Sequence, residues 1–131
     1  MKKYLIFLTF LFIQNVKSQN AEQSNPIHQK VYEYEDIQVK PKFPGGMEKF
    51  YKFIEANYKK PDEAKDVSGP VSVIFIVDIN GFITYIELRK DIGYKTGKEL
   101  IRTINNSPRW LPGEQDGYHV KTKIKFTFNV K

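Results

Sequence analysis

Few side chains in this sequence are equipped for chemistry, and their placement argues against it. Cysteine is absent, and His28 and His119 are the two histidines. They fall in different parts of the chain, so no histidine pair has ligand spacing. Glu114 and Asp116 lie near His119 in sequence, but one loop histidine beside acids is most often simply solvated. Asp78, Asn80 and Gly81 reproduce only a fragment of a calcium loop, without the remaining oxygen ligands. Trp110 could stack on a sugar, although its proline neighbours favour a packing anchor. No nucleophile–base pair and no phosphate-cradling loop can be assembled. The sequence therefore predicts no enzymatic activity, no cofactor, no metal site and no small-molecule substrate.

What remains is the chemistry of the backbone. Val120, Thr122, Ile124, Phe126, Phe128 and Val130 alternate with Lys121, Lys123, Lys125, Thr127 and Asn129. That period of two is the pattern of a strand with one buried and one wet face. A strand at a sheet edge offers a row of N–H and C=O groups to any extended chain. Val120, Lys121, Thr122, Lys123, Ile124, Lys125 and Phe126 are accordingly the candidate partner-binding edge. The three lysines have two readings. The commoner is that charge on an edge discourages self-pairing; the other is attraction of an acidic partner.

The elements that must position this strand emerge from periodicity. Met47, Phe50, Tyr51, Ile54 and Tyr58 fall on one stripe of a helix over residues 47–58. Pro41, Pro44, Gly45 and Gly46 ahead of it read as a sharp corner. Residues 71–89 read as a hairpin turning at Asn80-Gly81. With an even loop, Val71, Val73, Phe75 and Val77 share a face with Phe82, Thr84, Ile86 and Leu88. The other face would carry Ile74, Ile76, Ile83 and Tyr85, which are apolar enough to need a cover from residues 31–43 or to form a contact patch. Thr96 and Glu99 have the spacing of a capping box for a second helix over residues 97–106, burying Leu100, Ile101 and Ile104. The order arm, helix, strand, strand, helix, strand predicts a two-layer α+β domain: a small antiparallel sheet, hairpin plus C-terminal strand, with both helices on one face.

The N-terminus reads differently. Lys2 and Lys3 precede an apolar run at residues 4–13, and Val16-Lys17-Ser18 suits a peptidase. This is the pattern of a secretory signal over residues 1–18. A spanning helix needs about 20 apolar residues, roughly twice this run, so cleavage is expected rather than anchoring. Losing Lys2, Lys3 and Lys17 lowers the formal charge from +6 to +3, and an exported protein is an improbable nucleic-acid binder. Residues 19–40 read as a flexible lead-in whose later part forms an extended arm or short edge strand. The folded domain is expected over residues 41–131.

Two motifs then carry a resemblance. Phe43-Pro44-Gly45-Gly46 is followed by Val71-x-Val73-x-Phe75-x-Val77-Asp78-x-x-Gly81. Pro108-x-Trp110-x-Pro112-Gly113, Gly117 and the alternating last strand complete the set. Over residues 40–131 the chain resembles the C-terminal domain of TonB, the energy transducer of Gram-negative cell envelopes, with a TonB/TolA C-terminal-like fold. The resemblance implies a non-enzymatic periplasmic module. It implies as partner a TonB-box-like peptide of an outer-membrane receptor, or another envelope protein, added as a strand beside the last strand. Strand order would place the last strand beside the first hairpin strand. Phe43, Pro44, Gly45, Gly46, Gly81, Trp110, Pro112 and Gly113 would be structural. A homodimer is a further possibility, formed through paired edges or the Ile74/Ile76/Ile83/Tyr85 face. Binding of anionic envelope polymers by a cationic surface is another.

Overall fold

A computed structural model describes residues 30–131. The expected secretory signal and residues 19–29 of the lead-in lie outside the described residues. The elements run in the order β1 (Val31–Glu33), α1 (Met47–Asn57), β2 (Gly69–Val77), β3 (Ile83–Lys90), α2 (Thr96–Asn105), β4 (Gly113–Gln115) and β5 (Tyr118–Val130). The sheet is mixed and open, in the order β1-β5-β2-β3, with β4 paired to β5. The expected placing of the last strand beside the first hairpin strand is therefore what the chain adopts. Both helices contribute to a single core, so the architecture is two-layer α+β.

The core is aromatic at its centre. Phe50 and Ile54 of α1 are fully buried, and being four apart they stand one turn above the other. The ring of Trp110 lies 5.0 Å from Phe50, 5.6 Å from Phe75 and 5.7 Å from Phe43. Phe126 of β5 closes the cluster at 4.8 Å from Phe50. These tilted and edge-on contacts are the favoured geometries of ring pairs. Phe53 also joins the buried side, packed on Phe43 at 5.6 Å, whereas Tyr51 sits at the margin, 46% exposed. The stripe of α1 is thus centred one position away from the one read in the sequence.

The hairpin corrects a second expectation. Its loop has three residues, 79–81, closed by the Asp78 amide donating to the Phe82 carbonyl. An odd loop reverses the parity assumed for the return strand, and puts Ile83 rather than Phe82 opposite Val77 on the core side. One extra residue, Thr84, then bulges out, and Ile86 and Leu88 return to the core opposite Phe75 and Val73. Phe82 is left exposed, with the Arg109 guanidinium 5.1 Å above its ring. The Asp78 carboxylate accepts the amides of Asn80 and Phe82, which holds the loop.

Gly81 explains why this loop and the Trp110 segment must occur together. Its φ is +84°, and a Cβ there would stand 1.9 Å from the Trp110 carbonyl oxygen. The Trp110 amide donates to the Gly81 carbonyl at 2.9 Å. Two backbones this close admit no side chain.

The second helix is capped otherwise than expected. Thr96 lies inside the helix, and Lys95 in the cap position makes no side-chain cap bond. The Asp91 carboxylate serves instead, accepting the Thr96 hydroxyl at 2.8 Å and the Gly97 amide at 3.2 Å. Glu99, freed from a reciprocal cap, accepts from Arg102 at 2.6 Å and from the Lys59 amide at 2.9 Å. The Arg102 hydrogen bond holds the Glu99 carboxyl below its ordinary range.

These contacts set measurable costs. Gly81→Ala adds left-handed strain and a backbone collision, and should cost at least about 3 kcal/mol in urea unfolding. Gly117→Ala, with positive φ but open space around it, should cost only about 1–2 kcal/mol. Asp91→Ala should cost about 1–2 kcal/mol through the lost cap. The stabilisation from Glu99 is complete above its ordinary value of 4.5 and lost as pH falls through the depressed folded value. Glu99→Gln should therefore narrow the gap between urea midpoints measured at neutral and acid pH.

Candidate partner-binding edge

The residues expected to form the edge are not in one environment. On its inner side β5 pairs antiparallel with β2 over residues 122–130. The chain supplies further partners for part of the length, and of these β1 lies on the outer side, opposite β2. Val120 pairs with Gly113 of β4. Lys121, Thr122 and Lys123 pair in parallel with Val31, Tyr32 and Glu33 of β1. Ile124, Lys125 and Phe126 have no outer ladder partner among the described residues, and this holds onward to Val130. The unpaired rim is therefore displaced toward the C-terminal half of β5.

Helix α1 runs beside this rim. The Tyr51 ring lies 5.1 Å from Phe126, and the Tyr58 ring 4.8 Å from Phe128. A groove of about 390 Å³ is bounded by Tyr34, Met47, Tyr51, Ile124 and Lys125, among others. A second, of about 290 Å³, lies farther along between Glu55, Tyr58, Phe128 and Asn129. Burial pushes the Tyr58 phenol up to about 12, with Glu99 and Asp91 adding to the effect, and its hydroxyl donates to the Thr96 carbonyl at 3.1 Å. An extended chain along the rim would thus meet backbone groups on one flank and aromatic rings on another.

The alternating faces sort as the sequence indicates. Val120, Thr122, Ile124, Phe126 and Val130 are buried, and the lysines stand on the helix-free face. There Ile74 lies between Glu87 and Lys125, and Ile76 between Tyr85 and Lys123. Both isoleucines are half-buried, as the stems of long charged neighbours shield apolar side chains. Residues 31–43 do not cover this face. They run along the sheet margin, where residues 39–42 bridge to residues 111–114. Pro41 and Pro112 fall between the two bridges, and neither has an amide hydrogen to donate.

The motif glycines and prolines position this margin. Phe43 is buried in the aromatic cluster, and the Gly46 amide returns to its carbonyl at 2.7 Å across Pro44 and Gly45. Gly113 packs so tightly that a Cβ would stand 2.4 Å from Ile37 and 2.5 Å from the Thr122 hydroxyl. That hydroxyl is buried without a hydrogen-bond partner. Trp110 is 2% exposed, which leaves no face for a sugar. His119 approaches the Glu114 carboxylate at 3.4 Å, whereas Asp116 is taken up by the Gln38 side chain. The outer pairing by β1 was the feature that sequence reasoning left open. Its signal was the alternation of Val31, Tyr32, Glu33, Tyr34 and Glu35, which matches the alternation of β5.

These features define a class: a small α+β module with a partly open strand edge beside an aromatic helix. Residues 56–130 match the family described as Gram-negative bacterial TonB protein C-terminal, and the chain belongs to that family. No curated protein matches it. The family is one of non-enzymatic interaction domains of the Gram-negative envelope, whose members interact with outer-membrane receptors. Among the described residues, no helix is long and apolar enough to cross a membrane.

The unpaired Thr122 hydroxyl yields a prediction. Replacing it by an isosteric methyl removes a buried polar group with no partner. Thr122→Val should raise stability by about 1 kcal/mol in urea unfolding, without altering the fold.

Proposed function

We propose that this protein is an exported periplasmic module that binds an extended peptide of an outer-membrane receptor, or of another envelope protein, by strand addition to β5. The observation that carries this is the outer rim at residues 124–130, which has no ladder partner among the described residues and lies beside Tyr51 and Tyr58. On this reading residues 1–18 are the export signal, residues 19–40 the lead-in and arm, and residues 41–131 the binding domain. Of the proposed edge Val120, Lys121, Thr122, Lys123, Ile124, Lys125 and Phe126, the last three lie on the open rim, with the contact extended toward Val130, and residues 121–123 would accept a peptide on displacement of β1.

Each added backbone hydrogen bond contributes about 0.5–1.5 kcal/mol net. A short peptide should then bind with a Kd between about 1 μM and 1 mM. Such a contact forms and releases readily, which suits a partner that is engaged and let go in cycles.

A second reading, self-association, is supported by the uncovered face carrying Ile74, Ile76 and Tyr85, the last 49% exposed. NMR titration with a TonB-box-like receptor peptide separates the two. Amide shifts should concentrate at residues 120–130 and at Met47 and Tyr51. Shifts at the outer edge of β3, or a concentration-dependent dimer closing over Ile74 and Ile76 with no peptide shifts, would overturn strand addition to β5.

A further inference from the structure

The edge of β5 already holds an extended segment, and the chemistry of that segment describes a ligand. In β1, Tyr32 pairs with buried Thr122 and faces the helices, whereas Val31 and Glu33 pair with Lys121 and Lys123 on the open face. The Glu33 carboxylate meets the Lys123 ammonium at 2.6 Å. Lys121 and Lys125 make no ion pair among the described residues. Three lysines thus stand in line, two residues apart on one face of one strand, and a single acid answers them.

This occupant is held more lightly than the arm C-terminal to it. β1 has three residues, none of them buried. Its ion pair is roughly half exposed, so it is a weak tether. After Glu33 the chain leaves the sheet in a 3-10 turn, Tyr34–Asp36. From Ile37 onward the arm is anchored firmly. Ile37 is buried, and residues 39 and 42 exchange backbone hydrogen bonds with residues 114 and 111. Peeling Val31–Glu33 away would therefore expose the lysine row without loosening the anchor.

We propose that the Lys121–Lys123–Lys125 row is the recognition site for an acidic, alternating extended peptide of a partner protein, and that Val31–Glu33 is a built-in competitor which such a peptide displaces. This rests on strand addition to β5. The partner would place acids two residues apart opposite the lysines, and apolar or aromatic side chains between them toward Met47 and Tyr51. Besides the lysines, the charged groups facing this site are Glu33 and Glu35 of the arm, which line the same groove, Glu87 across the sheet, whose carboxyl also feels Lys123, and Arg89, which is paired with Glu87 and lies beside Lys125. Removal of the arm tip takes Glu33 and Glu35 out of competition and leaves the row net positive.

The test uses the full chain and a synthetic peptide copying residues 31–36, with a second peptide bearing Gln and Asn in place of its acids. The acidic peptide should shift amides at residues 121–126, and the neutral one should bind at least tenfold more weakly. Glu33→Lys repels its own lysine and should tighten the acidic peptide at least tenfold. The double variant Glu33→Lys/Lys123→Glu restores the closing pair and should return the affinity toward the wild-type value, with circular dichroism checking the fold of each. Equal binding of the two peptides, or an unchanged affinity in Glu33→Lys, overturns the competitor while leaving strand addition standing. Absence of shifts along β5 with every peptide and variant overturns strand addition as well. A dimer formed by exchanged arms and dissolved by the acidic peptide would make a second copy the occupant, and would overturn the proposal of a separate partner.

Discussion

The contact on which the rest of this domain depends is that between Trp110 and the hairpin loop. The indole ring fills the centre of the aromatic cluster, and its own amide and carbonyl meet the backbone of Gly81. One residue therefore ties the core to the turn of β2 and β3, and fixes where the chain must pass on its way to β4. Packed interiors tolerate little displacement, so the segment after Trp110 has little freedom. Leu111 and Glu114 reach the arm, Gly113 slots between Ile37 and Thr122, and β5 starts in register with both.

That clamp also decides what part of β5 stays available. The β4 turn and the docked arm deliver two short pieces of chain to its N-terminal half. The piece from the arm, β1, lies opposite β2 and blunts the exposed edge there against indiscriminate pairing. The C-terminal half is left with β2 on one side and the rings of α1 beside it. The lysine row lies at the boundary between the covered and uncovered halves, where one lysine is answered from within the chain and its neighbours are not. Folding and recognition thus draw on the same interaction: a strand added to β5.

Electrostatics elsewhere are local. Glu99 is set low by Arg102, and Tyr58 is set high by burial. Both groups lie at the junction of α1 and α2, where they fasten the helices to each other. The first loses its contribution in acid and the second in strong base. Both contributions are therefore present across the neutral range.

Where periodicity ran long, it was enough to name the elements and their faces. The alternation over β5 and the stripe of α2 picked out most of their buried residues, although Ile101 and Phe128 are only half-buried and Thr103 is buried as well, and the two glycine- and proline-containing motifs carried the family resemblance. Apart from the shifted stripe of α1, the errors of sequence reasoning were of one kind. An odd hairpin loop with a bulge at Thr84, a cap supplied by Asp91 from outside the helix, and a cover over Ile74 and Ile76 that the arm does not provide all turn on a partner distant in sequence or on a single inserted residue. The pairing of Val31–Glu33 with Lys121–Lys123 belongs with these. Alternation tells a strand which face is wet, because that is a property of neighbouring residues. Which side of its backbone is already taken is decided by segments far along the chain, and only the folded arrangement brings them to it.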